Sequence, residues 1–190
     1  DFCLRLSRFP NLCPQFHLSL QSGSDTVLVR MRRKYDTARY VQSVALLRES
    51  FPGCALTTDL IVGFPGETEA ELEESLAFCR QCGFAAMHIF PYSRRPGTPA
   101  DKMPGQLTKA EKEARSARAI AIARALEQAY LSAQIGTTQE VLWEEPVGEG
   151  LYTGHTPTYT KVYAPGNGLH NQICNVTITG LYKDGLLGQL

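Results

Sequence analysis

Five short stretches of this sequence carry residue types that could do chemistry. Gly63-Phe64-Pro65-Gly66-Glu67 ends an apolar run just before a helix start. Its glycines let a ligand approach the backbone, and Glu67 adds a charge. Gln21-Ser22-Gly23-Ser24 offers amide and hydroxyl groups around another glycine. Pro91-Tyr92-Ser93-Arg94-Arg95 sets two guanidiniums side by side, and each is a planar fork that grips a carboxylate or phosphate at two points. The run Arg30, Arg32, Arg33, Lys34 reads either as a solvated helix end or as a phosphate-contacting patch. Cys79-Arg80-Gln81-Cys82 has the spacing of a redox or metal pair. It falls near a helix end, however, where the negative dipole disfavours a thiolate, and Cys79 continues the apolar stripe of Leu72 and Leu76. Core packing is the reading for both thiols.

The elements that must position these stretches follow from periodicity and caps. Phe16–Leu20 is a short strand, stopped by the Gln21–Ser24 turn. Ser24 or Asp25 caps a short helix, and Asp36 opens a longer one with Tyr40, Val44, Leu47 and Phe51 on one face. A β-rich run covers 54–62. Thr68 and Glu71 form a capping box for a helix that runs to Cys82 and closes at Gly83. Ala86–Phe90 is the next strand. This βαβαβ order implies an α/β fold with a parallel sheet and right-handed crossovers. A proline-rich loop (91–107) leads to a second capping box, Thr108 with Glu111, and a helix to about Ile135 that stops at Gly136.

After Gly136 the pattern changes to short β-rich runs at 139–143, 151–155, 159–164, 173–179 and 186–190, parted by Gly- and Pro-bearing turns. Five short strands in so few residues suggest a small OB-like all-β barrel. The expected domains are therefore 1–136 and 137–190. In a parallel α/β sheet, ligands bind beyond the carboxyl ends of the strands. That rule places the Gln21, Gly63–Glu67 and Pro91–Arg95 loops on one rim, with Asp59, Glu67 and the arginines as polar handles.

Composition bounds the function weakly. Across 190 residues, 19 basic and 19 acidic side chains balance, so bulk charge names no partner. Residues 137–190 hold Lys161 and Lys183 against Glu140, Glu144, Glu145, Glu149 and Asp184, so the barrel is acidic and the rest mildly basic. No apolar segment has membrane length, which makes a cytoplasmic protein without a membrane partner the default. The six cysteines are scattered, and there is no Walker loop, no Gly-x-Ser-x-Gly and no metal-ligand cluster. His17 and His88 fall within strands and read as core or rim residues. From these residues alone catalysis is not assigned.

Four phrases together carry a resemblance: "HLSLQSGSDTVLVRMRRKY", "TTDLIVGFPGETEAELEESLAFC", "HIFPYSRRPGTPADKMPGQ" and "GLLGQL". In this order they resemble the radical S-adenosylmethionine methylthiotransferases. The resemblance implies that residues 1–136 are the second half of a radical SAM partial (β/α) barrel, with its long linking helix. It implies that 137–190 are the RNA-binding TRAM barrel. The implied reaction replaces an aromatic C–H by a methylthio group, driven by a deoxyadenosyl radical, on an adenosine next to the tRNA anticodon. Cys13-Pro14 and Ser93–Gly97 look most like the branch acting on threonylcarbamoyladenosine. The isopentenyladenosine and ribosomal-protein aspartate branches are the alternatives.

By the same resemblance, Gly63 to Glu67 would lie against S-adenosylmethionine. Ile61 and Phe64 would sit near the adenine, Gln21 and Ser22 near the ribose, and Asp59 and Pro91 on the same cofactor rim. Arg95 would serve the phosphate backbone or the cofactor region, Arg94 would read the threonylcarbamoyl carboxylate, and Arg32 and Arg33 would contact tRNA phosphates. The family's Cys-x3-Cys-x2-Cys motif and the cysteines of its second cluster are absent from this sequence. The expectation is thus a C-terminal segment that depends on an N-terminal remainder for two 4Fe–4S clusters. Such a segment would hold no cluster or catalytic residue itself and would be inactive alone. A barrel enzyme for a phosphorylated metabolite and a non-catalytic RNA-binding module are the competing readings.

Overall fold

The computed structural model describes residues 2–148 and 150–190. The chain divides into two compact units, one of 16–52 and 56–127, the other of 1–15, 53–55 and 128–190. The first half runs α1 (Phe2–Leu6), β1 (Gln15–His17), α2 (Asp25–Arg30), α3 (Thr37–Ser50), β2 (Ala55–Val62), α4 (Glu69–Cys82) and β3 (Ala86–Pro91). The helix α5 (Lys109–Ser132) leads to β4 (Thr138–Gly148), β5 (Leu151–His155), β6 (Lys161–Pro165), β7 (Ile173–Tyr182) and β8 (Gly185–Gln189). Among the described residues no helix is long and apolar enough to cross a membrane.

The first sheet has the order β1-β2-β3, with β2 and β3 parallel from Thr57↔Ala86 to Val62↔Pro91. The chain after β1 does not stay a regular strand to Leu20 as its composition suggests. The Thr58 hydroxyl takes the Leu20 N–H at 2.9 Å in place of a backbone carbonyl. The Tyr40 hydroxyl donates to the Leu18 carbonyl, and the Tyr35 hydroxyl to those of Ser19 and Leu20. Side chains thus replace the ladder, and pairing resumes only at the isolated Gln21↔Leu60 bridge.

Local signals place the helices. The Asp36 carboxylate accepts from the Arg39 N–H, and Thr68 with Glu71 makes the full capping box. Gly83 closes α4 at φ 60°, left-handed backbone that glycine adopts without Cβ strain. Tyr40, Val44 and Leu47 of α3 and Leu72, Leu76, Cys79 and Cys82 of α4 are buried. Glu71 does more than cap: its carboxylate also accepts from the Thr26 hydroxyl and from Arg30, tying α2 to α4. Burial pushes this carboxyl up, but the bonds from Thr26, the Thr68 backbone, Arg30 and the Thr68 hydroxyl outweigh it and hold it down at about 2.

In the second unit five strands close a barrel in the order β4-β5-β6-β8-β7. All pairs are antiparallel except β6 with β8. Inward positions alternate as a period of two requires: Val141 and Trp143 from β4, Val162 and Ala164 from β6, Val176 and Ile178 from β7, with Leu186. Pro146 lies inside β4 rather than ending it, because the register shifts between Pro146 and Gly148. Glycines permit the tight closure. A Cβ at Gly154 would stand 2.2 Å from the Leu142 carbonyl oxygen, whereas one at Gly180 would meet nothing within 4 Å.

Gly154→Ala is therefore expected to cost about 1–3 kcal/mol or more by forcing β4 and β5 apart, and Gly180→Ala much less. Chemical denaturation read by the Trp143 emission distinguishes them. A second expectation concerns acid. A carboxyl held low by folding stabilises fully above its unfolded pKa near 4.3 and loses that contribution as pH falls through about 2. The stability gap between wild type and Glu71→Gln should then narrow by about 3 kcal/mol across that window, measured by urea melts at several pH values.

Candidate functional site at the carboxyl ends of the parallel strands

The turn after β2 is built by the chain around it. Glu67 is buried, and its carboxylate accepts the Gly63 and Phe64 N–H groups at 3.0 and 3.4 Å. Arg115 of α5 donates to the other carboxylate oxygen at 2.6 Å and to the Glu67 carbonyl at 2.9 Å. The Lys112 stem crosses Gly63, where a Cβ would be 2.5 Å from Lys112 Cγ, and its Nζ donates to the Tyr92 carbonyl at 3.0 Å. Gly66 donates to the Gly105 carbonyl at 2.8 Å, with Gly105 so close that a Cβ there would touch the Gly66 backbone. What lies against the Gly-Phe-Pro-Gly turn is thus α5 and the Pro104-Gly105 turn of the same chain.

A pocket of about 520 Å³ opens at the strand ends beside this turn. Gln21, Asp59 and Ile61 contribute from the first two strands and their exits; Phe90, Pro91, Tyr92 and Ser93 contribute from β3 and beyond. Arg33, Arg95, Thr98 and Ala100 complete its wall. Asp59 Oδ2 lies 3.4 Å from His17 Nε2. The Tyr92 hydroxyl is buried, and among the described residues it has no hydrogen-bond partner.

Of the expected cofactor-side residues, the pocket gathers Gln21, Asp59, Ile61 and Pro91; of the expected substrate-side residues, Arg33 and Arg95. The others lie off its wall for stated reasons. Ser22 is buried, with its hydroxyl 3.1 Å from that of Ser75. Phe64 is buried edge-on to Tyr92, ring centroids 5.2 Å apart. Gly63 lies under Lys112, and Glu67 is held by Arg115. Arg94 turns to Asp101, donating to its carboxylate at 2.9 Å and its carbonyl at 2.8 Å. Arg32 is exposed in left-handed backbone at φ 59°. Residues not foreseen are Phe90, Thr98 and Ala100, while Tyr92 and Ser93 belong to the Pro91–Arg95 loop expected on this rim, without a role of their own. The signal that could have found them was the proline-rich loop itself, which folds back through Thr98 onto the strand end.

The basic run splits. Arg30 is occupied by Glu71 and the Pro65 carbonyl, whereas Arg33 donates to Gln21 Oε1 at 2.8 Å. Cys79 and Cys82 are buried in the α4 core, and that burial pushes their thiols up to about 12 and about 11, which leaves them unreactive. Among the described residues no group of three or more His, Cys, Asp or Glu side chains is arranged to hold a metal ion.

Residues 2–79 match the radical SAM superfamily. The chain is 49% identical to the tRNA-2-methylthio-N(6)-dimethylallyladenosine synthase of Oleidesulfovibrio alaskensis, over 94% of its own length and 44% of the relative's. It is 38% identical to the threonylcarbamoyladenosine tRNA methylthiotransferase of Thermotoga maritima, over 95% of its length and 41% of the relative's. The corresponding enzyme of Bacillus subtilis is 39% identical over 85% and 37%. The chain belongs to the radical SAM methylthiotransferase family. It spans less than half the length of these curated relatives. Three of the four family phrases fall on the three strand exits, so the resemblance and the pocket coincide in space, and the fourth falls on β8.

The buried Arg115–Glu67 pair should behave as a strut. Arg115→Met leaves a buried carboxylate unpaired and is expected to cost about 3–5 kcal/mol, part of it recovered in the double variant with Glu67→Gln, since the isolated charge is then gone. Urea denaturation of the single and double variants measures both.

Proposed function

We propose that this chain is the cofactor- and substrate-facing part of a tRNA methylthiotransferase, which replaces an aromatic C–H of an N6-substituted adenosine beside the anticodon with a methylthio group. The pocket at the ends of the parallel strands carries this reading. S-adenosylmethionine fits its lining: Ile61, Phe90 and Pro91 offer apolar faces for an adenine, and Gln21 and Ser93 offer polar partners. When bound there, S-adenosylmethionine would supply the deoxyadenosyl radical on one-electron reduction by an iron–sulfur cluster held by the N-terminal remainder. The roles given to this chain's own residues are binding, orientation and the exclusion of water. The closed five-stranded barrel supports an OB-like TRAM domain that contacts the anticodon stem-loop. Tyr159, 69% exposed with its ring 6.3 Å from that of His155, is a surface on which a base can stack. The protein would act in the cytoplasm, where tRNA is modified.

For the N6 substituent, the threonylcarbamoyl group is our reading. Arg95 brings to the pocket a cation suited to its carboxylate, while Arg94, engaged by Asp101, does not. The dimethylallyl alternative is favoured by the 49% relative and by the apolar wall of Ile61, Phe90 and Pro91.

This chain should be expressed together with the cluster-bearing N-terminal remainder on which it is proposed to depend, in a bacterium stripped of its own methylthiotransferases, and the tRNA nucleosides analysed by mass spectrometry. Methylthio-threonylcarbamoyladenosine is expected. Methylthio-isopentenyladenosine would transfer the protein to the other branch, and neither product would overturn the function.

A further inference from the structure

We infer that Gln21 is a positioning residue that holds the Arg33 guanidinium at the pocket, where Arg33 and Arg95 receive the carboxylate of an α-amino-acid group. This rests on the reading of the pocket as the cofactor and substrate mouth. Gln21 is 8% exposed and adopts φ 67°, left-handed backbone that is unfavourable for a non-glycine residue. Its neighbours over-determine that conformation: its N–H donates to the Asp59 carbonyl and its carbonyl accepts from the Ile61 N–H, both at 2.9 Å. Strain retained under such constraint at a pocket wall points to a use for the side chain. That side chain accepts from Arg33 Nη2 at 2.8 Å.

The type of acceptor matters. This unit fixes Arg30, Arg94, Arg115 and Arg118 with carboxylates, those of Glu71, Asp101, Glu67, and Glu69 with Glu73, whereas Arg48 ties α3 to the end of α4 through the Cys82 and Gly83 carbonyls. A glutamine amide fixes the guanidinium's orientation without neutralising it, so most of its donors and all of its charge stay available. Among the described residues no carboxylate lies within ion-pair distance of Arg33 or Arg95, although both line the pocket. The one carboxylate on the wall, Asp59, is beside His17. Two unneutralised forks on one cavity can grip a carboxylate or a phosphate at two points, and the carboxylate is the choice here because both small molecules assigned to this pocket carry one. Two sources share that chemistry: the methionine part of the cofactor and the threonine part of the N6 substituent.

Calorimetric titration of the chain separates the sources and tests the clamp. One arm compares S-adenosylhomocysteine with 5′-methylthioadenosine, which lacks the amino-acid group; the other compares N6-threonylcarbamoyladenosine with its methyl ester. Wild type is expected to prefer the carboxylate in at least one arm. Gln21→Glu, which keeps the shape but quenches Arg33, should weaken that carboxylated probe about 10- to 100-fold and leave its uncharged counterpart within about twofold. Arg33 is exposed, so Arg33→Lys preserves the fold while removing the fork, and it should give the same selective loss. No carboxylate preference, no binding in either arm, equal loss for both probes of a pair, or wild-type binding by Arg33→Lys would overturn the inference. These titrations need no turnover. Their failure removes the carboxylate site and leaves the methylthio reaction to the nucleoside analysis, while failure there leaves the carboxylate site standing.

Discussion

The interaction on which the site depends is the ion pair between Glu67 and Arg115, both nearly removed from water. A carboxylate at that depth is costly unless every oxygen is used. Here one oxygen takes the guanidinium and the other takes two backbone N–H groups of the turn after β2. The pair thereby fixes the glycine- and proline-bearing turn that follows β2, the strand that brings Asp59 and Ile61 to the pocket. Lys112 extends the same logic one turn earlier on α5 by binding the carbonyl of Tyr92. A solvated-looking helix thus sets the relative position of the ends of β2 and β3.

Charge in this unit divides into two populations. Arg30, Arg94, Arg115 and Arg118 meet carboxylates and hold helices and loops together. Among the described residues no carboxylate pairs with Arg33 or Arg95 on the cavity, and the Gln21 amide orients Arg33. The cavity thus combines cationic groups with the apolar faces of Ile61, Phe90 and Pro91. The second unit follows different physics. Its barrel is held by a small alternating apolar core and by glycines where strands approach too closely for a side chain. At its β7–β8 turn Asp184 accepts from both Lys161 and Tyr163 at 2.6 Å, so an acidic surface still has local pairing.

Features settled by a few neighbouring residues were legible without the structure. Thr68 with Glu71, Asp36, Gly83, the βαβαβ order, the five later strands and the gathering of three strand exits all follow from periodicity and caps, whose causes lie within one or two turns of chain. Tertiary structure decided which of several chemically equivalent groups face the cavity. Nothing local distinguishes Arg94 from Arg95, or Arg30 from Arg33; Asp101 and Glu71 claim one of each pair because those carboxylates come within reach only when the loops and helices pack. Glu67 read as a ligand handle because its partner stands 48 positions away on another helix. Gln21 read as a cofactor-side amide, and its hold on Arg33 was not legible because its left-handed backbone is imposed by β2, not by its neighbours in sequence. Sequence specified the elements, since backbone conformation is settled over short range; the fold specified the site, since electrostatic pairing depends on distances that only packing sets.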